Sequence, residues 1–151
     1  MITREATEKD LDILLEFEQG IVTAERPYNS TLIEGEIHYY DLLQLIKSED
    51  AFVIVAEEDG EIMASGYAKI KTPANNYSDF DRYAYLGFMF VKPEHRGKGI
   101  NKLILDELIK WAKSKGLSEI RLDVYAENES AVKAYEKAGF ESLLVTMRMK
   151  V

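Results

Sequence analysis

The apolar residues of this chain recur at two spacings, one typical of helices and one typical of strands. Spacings of three and four residues, the helical period, mark two stretches. Their apolar residues are Leu11, Leu14, Leu15 and Phe17 in the first stretch and Ile100, Leu103, Ile104, Leu108 and Trp111 in the second. Thr7 or Asp10 can cap the first helix, and Gly116 ends the second. Residues 20–37 are predicted to be irregular, and residues 39–46 to form a second short helix.

Short runs of β-branched, aromatic and alternating residues predict six strands. These strands are residues 2–5, 52–56, 62–70, 83–91, 119–125 and the chain from Phe140 onward. Asp59-Gly60 is a tight hairpin turn, and residues 83–91 are apolar on both faces, which favours a central strand. A short helix capped by Asn128 and ended by Gly139 precedes the last strand. The order βααβββαβαβ predicts an α/β (α+β) fold, a mixed and mostly antiparallel central sheet flanked by helices, in a single domain over residues 1–151.

The composition fits a soluble globular protein with one real core. The chain has 151 residues, of which 46% are hydrophobic and 30% charged. The net charge of −8 disfavours nonspecific binding to nucleic acid or to anionic membranes, and mildly favours a cationic partner. The absence of cysteine excludes disulfides and thiolate chemistry. The N-terminus is not a signal peptide and no apolar run approaches the ~20 residues of a membrane helix, so a cytoplasmic location is expected.

Residues 91–102 join an apolar strand to an amphipathic helix through a basic, glycine-rich turn. A helix start offers unpaired N–H groups and the positive end of the helix dipole, which predicts a phosphate-bearing ligand. The cations of the turn are His95, Arg96, Lys98 and Lys102, in an otherwise acidic chain. A P-loop would need Lys-Ser or Lys-Thr after the glycines, which the turn lacks. A dinucleotide fingerprint would need a third glycine where Lys102 stands.

Two segments follow the pattern of one known family. Val91-Lys92-Pro93, followed by Arg96-Gly97-Lys98-Gly99-Ile100, resembles the acetyl-CoA-binding motif of the GNAT acyl-CoA N-acyltransferases. That motif reads Arg/Gln-x-x-Gly-x-Gly/Ala after a strand that ends Val-x-Pro. Residues 128–140 resemble the second signature, Asn-x-x-Ala-x-x-x-Tyr-x-x-x-Gly-Phe. The predicted element order also matches, so the resemblance covers nearly the whole chain.

The resemblance implies acetyl-CoA as cosubstrate and assigns the residues that would bind it. These are Met89, Phe90, Val91, Arg96, Gly97, Lys98, Gly99, Ile100, Asn101, Lys102, Asn128 and Tyr135. In this family two parallel strands splay apart beside residues 89–91, and the freed backbone N–H groups face the thioester carbonyl. Asn101 stands where the motif has Gly or Ala, so its side chain must turn aside or hydrogen-bond the ligand. Asn128 is also a good helix N-cap, with or without a ligand contact.

The resemblance also suggests catalytic roles. Tyr135 matches the usual general acid, and a phenol of ordinary pKa stays protonated at neutral pH. Asp123 is the candidate base, directly or through water, although it must be desolvated to be effective. Weaker candidates for the base are Glu34, Glu36 and His38. Neither His38 nor His95 has a companion at metal-ligand spacing, so no metal is expected.

The acceptor is less defined than the donor. Residues 25–40 and 72–85 are expected to flank the acceptor cleft, because variable loops on a scaffold often carry specificity. Their residues that could surround an ammonium group are Glu25, Tyr28, Glu34, Glu36, Tyr39, Tyr40, Tyr77, Asp79, Phe80, Asp81, Tyr83 and Tyr85. The acceptor is therefore expected to be an amine, and these residues would suit a cationic one.

The sequence favours an acetyl-CoA-dependent N-acetyltransferase that acts in a ternary complex, since no cysteine or activated serine suggests an acyl-enzyme. The alternative is a non-catalytic CoA-binding or interaction module on the same scaffold. A dinucleotide-dependent oxidoreductase is the third and weakest hypothesis. A homodimer is possible, because the alternating final strand could pair across subunits.

Overall fold

The computed structural model describes every residue from Met1 to Val151 and contains a five-stranded sheet with helices on both faces. The strands are β1 (Ile2–Glu5), β2 (Ala51–Glu58), β3 (Glu61–Lys71), β4 (Tyr83–Val91) and β5 (Ile120–Leu122). The helices are α1 (Leu11–Glu25), α2 (Leu42–Lys47), α3 (Ile100–Ser114) and α4 (Glu129–Lys137). The sheet order is β1-β2-β3-β4-β5, antiparallel except for the parallel pair β4–β5. The predicted mixed, mostly antiparallel sheet flanked by helices is confirmed.

The core lies in two layers, one on each face of the sheet. Because side chains alternate along a strand, β2 sends Val53 and Val55 to one face and Ile54 and Ala56 to the other. The first face is covered by α1 and α2, and the second by α3. This arrangement explains why the central strands are apolar on both faces.

A bulge in β4 changes the register beside the middle of β3. Tyr67 pairs with Gly87, whereas Ser65 pairs with Phe90, so β4 has one extra residue opposite Gly66. Phe88 takes up this extra residue with φ of 58°, a left-handed value that is rare for a bulky side chain. The Ser65 hydroxyl, fully buried, donates to the Phe88 carbonyl at 3.0 Å and stabilises the distortion.

The helical predictions need three corrections. The first helix does not end before Gly20 but continues to Glu25, and Gly20 lies where the Phe90 ring packs against the helix. A Cβ built at Gly20 would come within 2.6 Å of that ring, so the glycine serves packing rather than a turn. The second helix begins at Leu42, because the side chain of Asp41 caps it by accepting from Gln44 N–H. On α3, Leu103 is 42% exposed, and Leu105 takes its place in the core.

The last two predicted strands differ most from the structure. The strand over residues 119–125 is paired with β4 only at Ile120–Leu122. The chain from Phe140 onward forms no strand, because no neighbouring strand pairs with it. Alternating side chains predict a tendency to form a strand, but the structure of a strand depends on a partner for its backbone.

Candidate active site

Strands β4 and β5 separate in the middle of the sheet. They pair only from Ala84 to Leu86 on β4, and β4 then continues to Val91 without a partner on that side. Lys92 N–H donates to Met63 O on β3 at 2.9 Å. Because successive N–H groups point to opposite edges of a strand, those of Val91 and Met89 face the gap. The gap therefore presents backbone donors of the kind that can bind a carbonyl oxygen.

The side chains beside the gap belong to the core. The Phe90 ring lies 4.9 Å from the Phe17 ring of α1, centroid to centroid. Met89 and Val91 pack against the cluster beneath α3. The side chains at 89–91 thus fix the position of this part of β4 and leave its outer backbone edge accessible.

The start of α3 is a second group of unpaired donors. The six backbone N–H groups from Gly97 to Lys102 make no backbone hydrogen bond, and no side chain caps the helix. Gly97 and Gly99 both have φ of 78°, a conformation that disfavours any residue with a Cβ. Ile100 is 97% buried under the helix and anchors its first turn. The turn therefore has a run of unpaired N–H groups, which suits an anionic oxygen ligand.

The four cations of the turn differ in their partners. Arg96 Nε donates to the Val91 carbonyl at 3.0 Å, and Lys98 Nζ lies 3.3 Å from His95 Nδ1, so neither cation has a carboxylate partner. His95 Nε2 lies 2.6 Å from Glu61 Oε1, and Lys102 forms an exposed ion pair with Asp106 at 2.6 Å. Arg96 and Lys98 consequently carry most of the uncompensated positive charge of this turn.

The two asparagines of the predicted donor site have different surroundings. Asn128 Oδ1 accepts from Ala131 N–H at 3.3 Å, which confirms its prediction as the N-cap of α4. Asn101 is partly buried and its side chain makes no hydrogen bond within the protein. The side chain of Asn101 is therefore available to a ligand at the start of α3.

Tyr135 lies on α4 and packs against the core beneath α3. Its ring is 5.9 Å from the ring of Phe140, in an edge-to-face arrangement. Burial raises the pKa of Tyr135, and the nearby negative charge of Glu25 raises it further. The phenol is therefore protonated at neutral pH, as a proton donor must be.

Glu25 lies at the end of α1, near the side chains of three tyrosines, Tyr39, Tyr40 and Tyr135. Partial burial raises the pKa of its carboxyl group, and the neighbouring Tyr39 side chain lowers this pKa by a smaller amount. Burial, and then the charge of Glu25, raise the pKa of Tyr39 to about 12. The same charge acts on Tyr40 and Tyr135. The sequence-based prediction assigns Glu25 to an irregular segment beside the acceptor cleft. It does not predict that Glu25 lies near Tyr135, because it ends the first helix before Gly20.

Comparison with known proteins decides the family. Residues 18–140 match the family model of the acetyltransferase (GNAT) family. The chain belongs to the GNAT acetyltransferases. An uncharacterized N-acetyltransferase of Methanocaldococcus jannaschii is 26% identical over 144 residues, which cover 91% of this chain and 59% of that protein. The chain spans between 29% and 59% of the length of three curated relatives that it matches.

Solved structures agree with this GNAT fold. A mutant protein from Bacillus halodurans superposes with a TM-score of 0.89 at 22% identity, over 100% of this chain and 99% of that one. A predicted acetyltransferase of Clostridium acetobutylicum, solved with acetyl-CoA, has a TM-score of 0.74 at 22% identity, over 99% and 95% of the two chains. The GNAT resemblance stated from the two sequence motifs is therefore confirmed.

Asp123 of the GNAT chain is an exposed side chain just beyond β5. Its Oδ2 accepts from the Tyr85 hydroxyl at 2.8 Å. Burial, and then this hydrogen bond, raise the pKa of Tyr85, which therefore stays protonated. The carboxylate is not desolvated, so the sequence-based condition for an effective direct base is not met at this position.

The other predicted acceptor residues do not gather in one place. Lys71 Nζ lies 3.9 Å from the centroid of the Tyr85 ring, and the guanidinium of Arg121 lies 5.2 Å from Phe80 and 5.4 Å from Tyr83. These ring faces are thus covered by cations of the chain itself. Four further residues named for this role or as a base are exposed: Tyr77, Glu34, Glu36 and His38.

A buried carboxylate, Glu18 on α1, holds the segment that carries Tyr39. Its side chain is fully buried and accepts from the N–H groups of Tyr39 and Tyr40 at 2.8 and 2.9 Å. His38 Nδ1 donates to the same carboxylate at 2.8 Å. This role is not evident from the sequence, because a glutamate within an amphipathic helix is usually a solvated residue.

Two further findings concern membrane-spanning helices and metal-binding clusters. No helix of the structure has both the length and the apolar character to cross a membrane. No three acidic or histidine side chains come together in a cluster that could ligate a metal ion.

Proposed function

We propose that this GNAT chain transfers an acetyl group from acetyl-CoA to a primary amine of a small molecule or peptide, by direct attack in a ternary complex. One observation carries the proposal: six unpaired N–H groups at the start of α3 adjoin the gap between β4 and β5, where further backbone donors are free.

The donor site fits the diphosphate of coenzyme A. Its oxygens would accept from the N–H groups of residues 97–102, with Arg96 and Lys98 supplying positive charge. The acetyl carbonyl would accept from the outer N–H groups of β4 at residues 89–91. Oriented donors of this kind typically account for about 3 kcal/mol of barrier each, because negative charge develops on that oxygen during attack.

The chemical step requires the protons to balance. The neutral amine attacks the thioester carbon, the new C–N bond forms, and the C–S bond breaks as the carbonyl reforms. The leaving thiolate takes the proton of the Tyr135 hydroxyl, and the amine nitrogen gives its extra proton to a base. Proton exchange with solvent then returns the base and the Tyr135 phenol to their starting forms. We propose Asp123 as that base, acting through a water because its carboxylate is exposed and already accepts from Tyr85.

The acceptor side is proposed to lie between the end of α1 and α4. Glu25 is half-buried there, and the buried Tyr39 hydroxyl has no hydrogen-bond partner within 3.5 Å. A carboxylate and an unpartnered phenol beside Tyr135 suit an ammonium group on the acceptor. A cationic amine, such as a diamine or a lysine side chain, is therefore the proposed substrate class.

The first test separates donor binding from catalysis. We expect acetyl-CoA to bind in calorimetry, and Gly99→Ala to weaken that binding at least about tenfold, because a Cβ enters the N–H surface and disfavours its backbone. Gly116→Ala is the matched control, since Gly116 ends the same helix with φ of 73° and equally open surroundings. Equal affinity of the two variants would contradict the proposed donor site.

Release of free thiol with a panel of amines completes this test. Thiol release that depends on an amine supports the transferase, whereas tight binding of acetyl-CoA without release on any amine favours the non-catalytic module. The outcome of the amine panel thus decides between an enzyme and a binding protein on the same scaffold.

Glu25 and Asp123 are expected to affect different kinetic constants. Glu25→Gln should raise KM for a diamine about tenfold with little change in kcat, because it removes a charged partner of the acceptor. Because the pKa of Glu25 is raised, this carboxylate becomes protonated at a higher pH than an ordinary glutamate. The KM of the wild-type protein for the diamine should therefore begin to rise at that higher pH as the pH is lowered.

Asp123→Asn should instead lower kcat. Steady-state kinetics as a function of pH measures both constants, and Glu16→Gln is the control on the exposed face of α1. If kcat and KM for the diamine changed together in a variant, the role proposed for that residue would be rejected.

A further inference from the structure

His95 connects the glycine-rich turn before α3 to the start of β3. Its Nε2 lies 2.6 Å from Glu61 Oε1, and its Nδ1 lies 3.3 Å from Lys98 Nζ. The His95 side chain is only 19% exposed, although both of its partners lie at the surface. One imidazole therefore bridges a carboxylate of the β2–β3 hairpin and a lysine of the proposed donor site.

The two contacts assign one tautomer to the imidazole of His95. An ammonium group has only donors, so Lys98 must donate to an Nδ1 that carries a lone pair. An ionised carboxylate has only acceptors, so Nε2 must carry the proton that it donates to Glu61. The neutral Nε2–H form of His95 meets both requirements. His95 therefore faces Lys98 as an uncharged acceptor and not as a second cation.

Glu61 is kept ionised by its neighbours. The hydrogen bond from His95, and then the charge of Lys92, lower the pKa of the Glu61 carboxyl group. Lys92 Nζ lies 4.0 Å from the second carboxylate oxygen, Oε2. A carboxylate bound at one ring nitrogen fixes the tautomer and the orientation of a histidine, and it makes the other nitrogen a better acceptor. Glu61 thus acts on Lys98 through His95.

Lys98 keeps donors for a ligand while His95 holds it. An ammonium group has three N–H bonds, and the contact with His95 uses one of them. Lys98 lies between Gly97 and Gly99, whose N–H groups make no backbone hydrogen bond. A free lysine side chain loses conformational entropy when it binds a phosphate, and a lysine that is already held loses less. Holding Lys98 in place therefore favours binding of an anion at this turn.

We propose that Glu61 and His95 are positioning residues for the coenzyme: Glu61 fixes the His95 imidazole, and the imidazole holds Lys98 Nζ toward the diphosphate of acetyl-CoA. This inference rests on the proposed donor site and adds to it a contribution from the β2–β3 hairpin. The proposed chemical step uses neither residue, so their loss should weaken binding of acetyl-CoA and leave kcat unchanged.

Two substitutions of His95 separate the roles of its two nitrogens. His95→Asn retains an acceptor near the position of Nδ1, whereas His95→Gln places its amide near the position of Nε2 and loses the acceptor for Lys98. In calorimetry with acetyl-CoA, we expect His95→Gln to raise Kd about tenfold and His95→Asn to raise it no more than about threefold. Equal affinities of the two variants would contradict the role of Nδ1.

A double-mutant cycle tests whether His95 acts through Lys98. Lys98→Met should raise Kd about tenfold, and adding His95→Gln should raise it no further, because coupled residues are not additive. His95→Gln with Lys102→Met is the matched control and should be additive, since Lys102 pairs with Asp106 instead. Additive losses for His95 and Lys98 would overturn this inference and leave the donor site standing. A wild-type chain that does not bind acetyl-CoA would overturn both.

Glu61 is tested by rescue with its amide. Glu61→Ala should raise Kd for acetyl-CoA about fivefold without changing kcat, and Glu61→Gln should restore most of the affinity, because its oxygen still accepts from Nε2–H. Glu58→Ala is the matched control, since Glu58 pairs with Glu61 across the hairpin but contacts the N-terminal amine. A Glu61→Ala chain with wild-type affinity would overturn the positioning role of Glu61.

Nitrogen NMR of the ligand-free protein tests the tautomer independently of binding. The chain has two histidines, His38 and His95, so the His95→Gln variant assigns their signals. At about pH 8, above the ordinary histidine range, we expect the Nε2–H form of His95 and a shift of its Nδ1 signal in Lys98→Met. A ring protonated at Nδ1, or an Nδ1 signal that ignores Lys98→Met, would overturn the inference whatever the affinity for acetyl-CoA.

Discussion

Replacing Tyr135 by phenylalanine is expected to lower kcat by about 10²- to 10⁴-fold, with little change in KM for acetyl-CoA. This range is the usual contribution of a positioned general acid. The ring of Tyr135 packs against Phe140 and the core, and phenylalanine preserves that packing. Only the hydroxyl is lost, and burial together with Glu25 keeps that hydroxyl protonated over the neutral range.

Tyr77→Phe is the matched control for this experiment, because Tyr77 is 84% exposed and far along the chain from α4. Thiol release in the steady state would give kcat, and the thermal unfolding midpoint of both variants would check their folding. A Tyr135→Phe enzyme with unchanged turnover would remove this residue from the mechanism. The donor site at α3 would be unaffected by that result, since it is tested through binding.

The largest effect on stability is expected at Glu18. Glu18→Ala should lower the free energy of unfolding by about 3–5 kcal/mol, because it leaves two backbone N–H groups and the His38 ring without their buried acceptor. Glu18→Gln retains one carbonyl oxygen as an acceptor and should lose less. Urea unfolding measures these differences.

Glu16→Ala is the control for Glu18→Ala, since Glu16 lies on the exposed face of the same helix. Its free energy of unfolding should change by no more than about 0.5 kcal/mol. Equal losses for the two alanine variants would mean that Glu18 is not the residue that holds the segment of Tyr39. A loss confined to Glu18 would instead support its role in positioning that segment.

The turn that carries the proposed donor site could be predicted from the sequence because its determinants are local. The turn from Arg96 to Lys102 is contiguous, and its glycines, cations and following helix can all be read in order. Asn128 as an N-cap is local in the same sense, since it binds Ala131 only three residues away. Features of this kind depend on short-range backbone geometry, which the residue types specify directly.

The gap in the sheet is implied by the family resemblance but not by the residue types themselves. Its donors are backbone groups, and the bulge that sets β4 in place centres on Phe88, a residue whose positive φ no propensity indicates. Gly20 led instead to a wrong prediction of where the first helix ends. A glycine commonly ends a helix, whereas here its missing side chain makes room for the Phe90 ring, a contact 70 positions away in the chain.

The predicted final strand shows that a residue pattern can favour a strand that the chain does not form. Alternation at residues 143–151 favours a strand with two unlike faces, but the structure has no strand there, because alternation does not specify the neighbour that would supply hydrogen bonds. No strand of the sheet pairs with these residues, so their backbone groups remain unpaired. Pairing is decided by tertiary and quaternary contacts, which no local pattern contains.

If the uncapped start of α3 binds the diphosphate of coenzyme A as proposed, the stability of this protein would depend on the supply of that ligand. A helix whose first six N–H groups lack acceptors is incomplete when empty, and a bound diphosphate would supply the missing oxygens. Since a ligand that binds only the native state stabilises it in proportion to the logarithm of its concentration, the lifetime of the chain in a cell would follow the supply of activated acyl groups. Starvation for such groups would then reduce the enzyme as well as its turnover, because proteases act on the less stable, empty molecules.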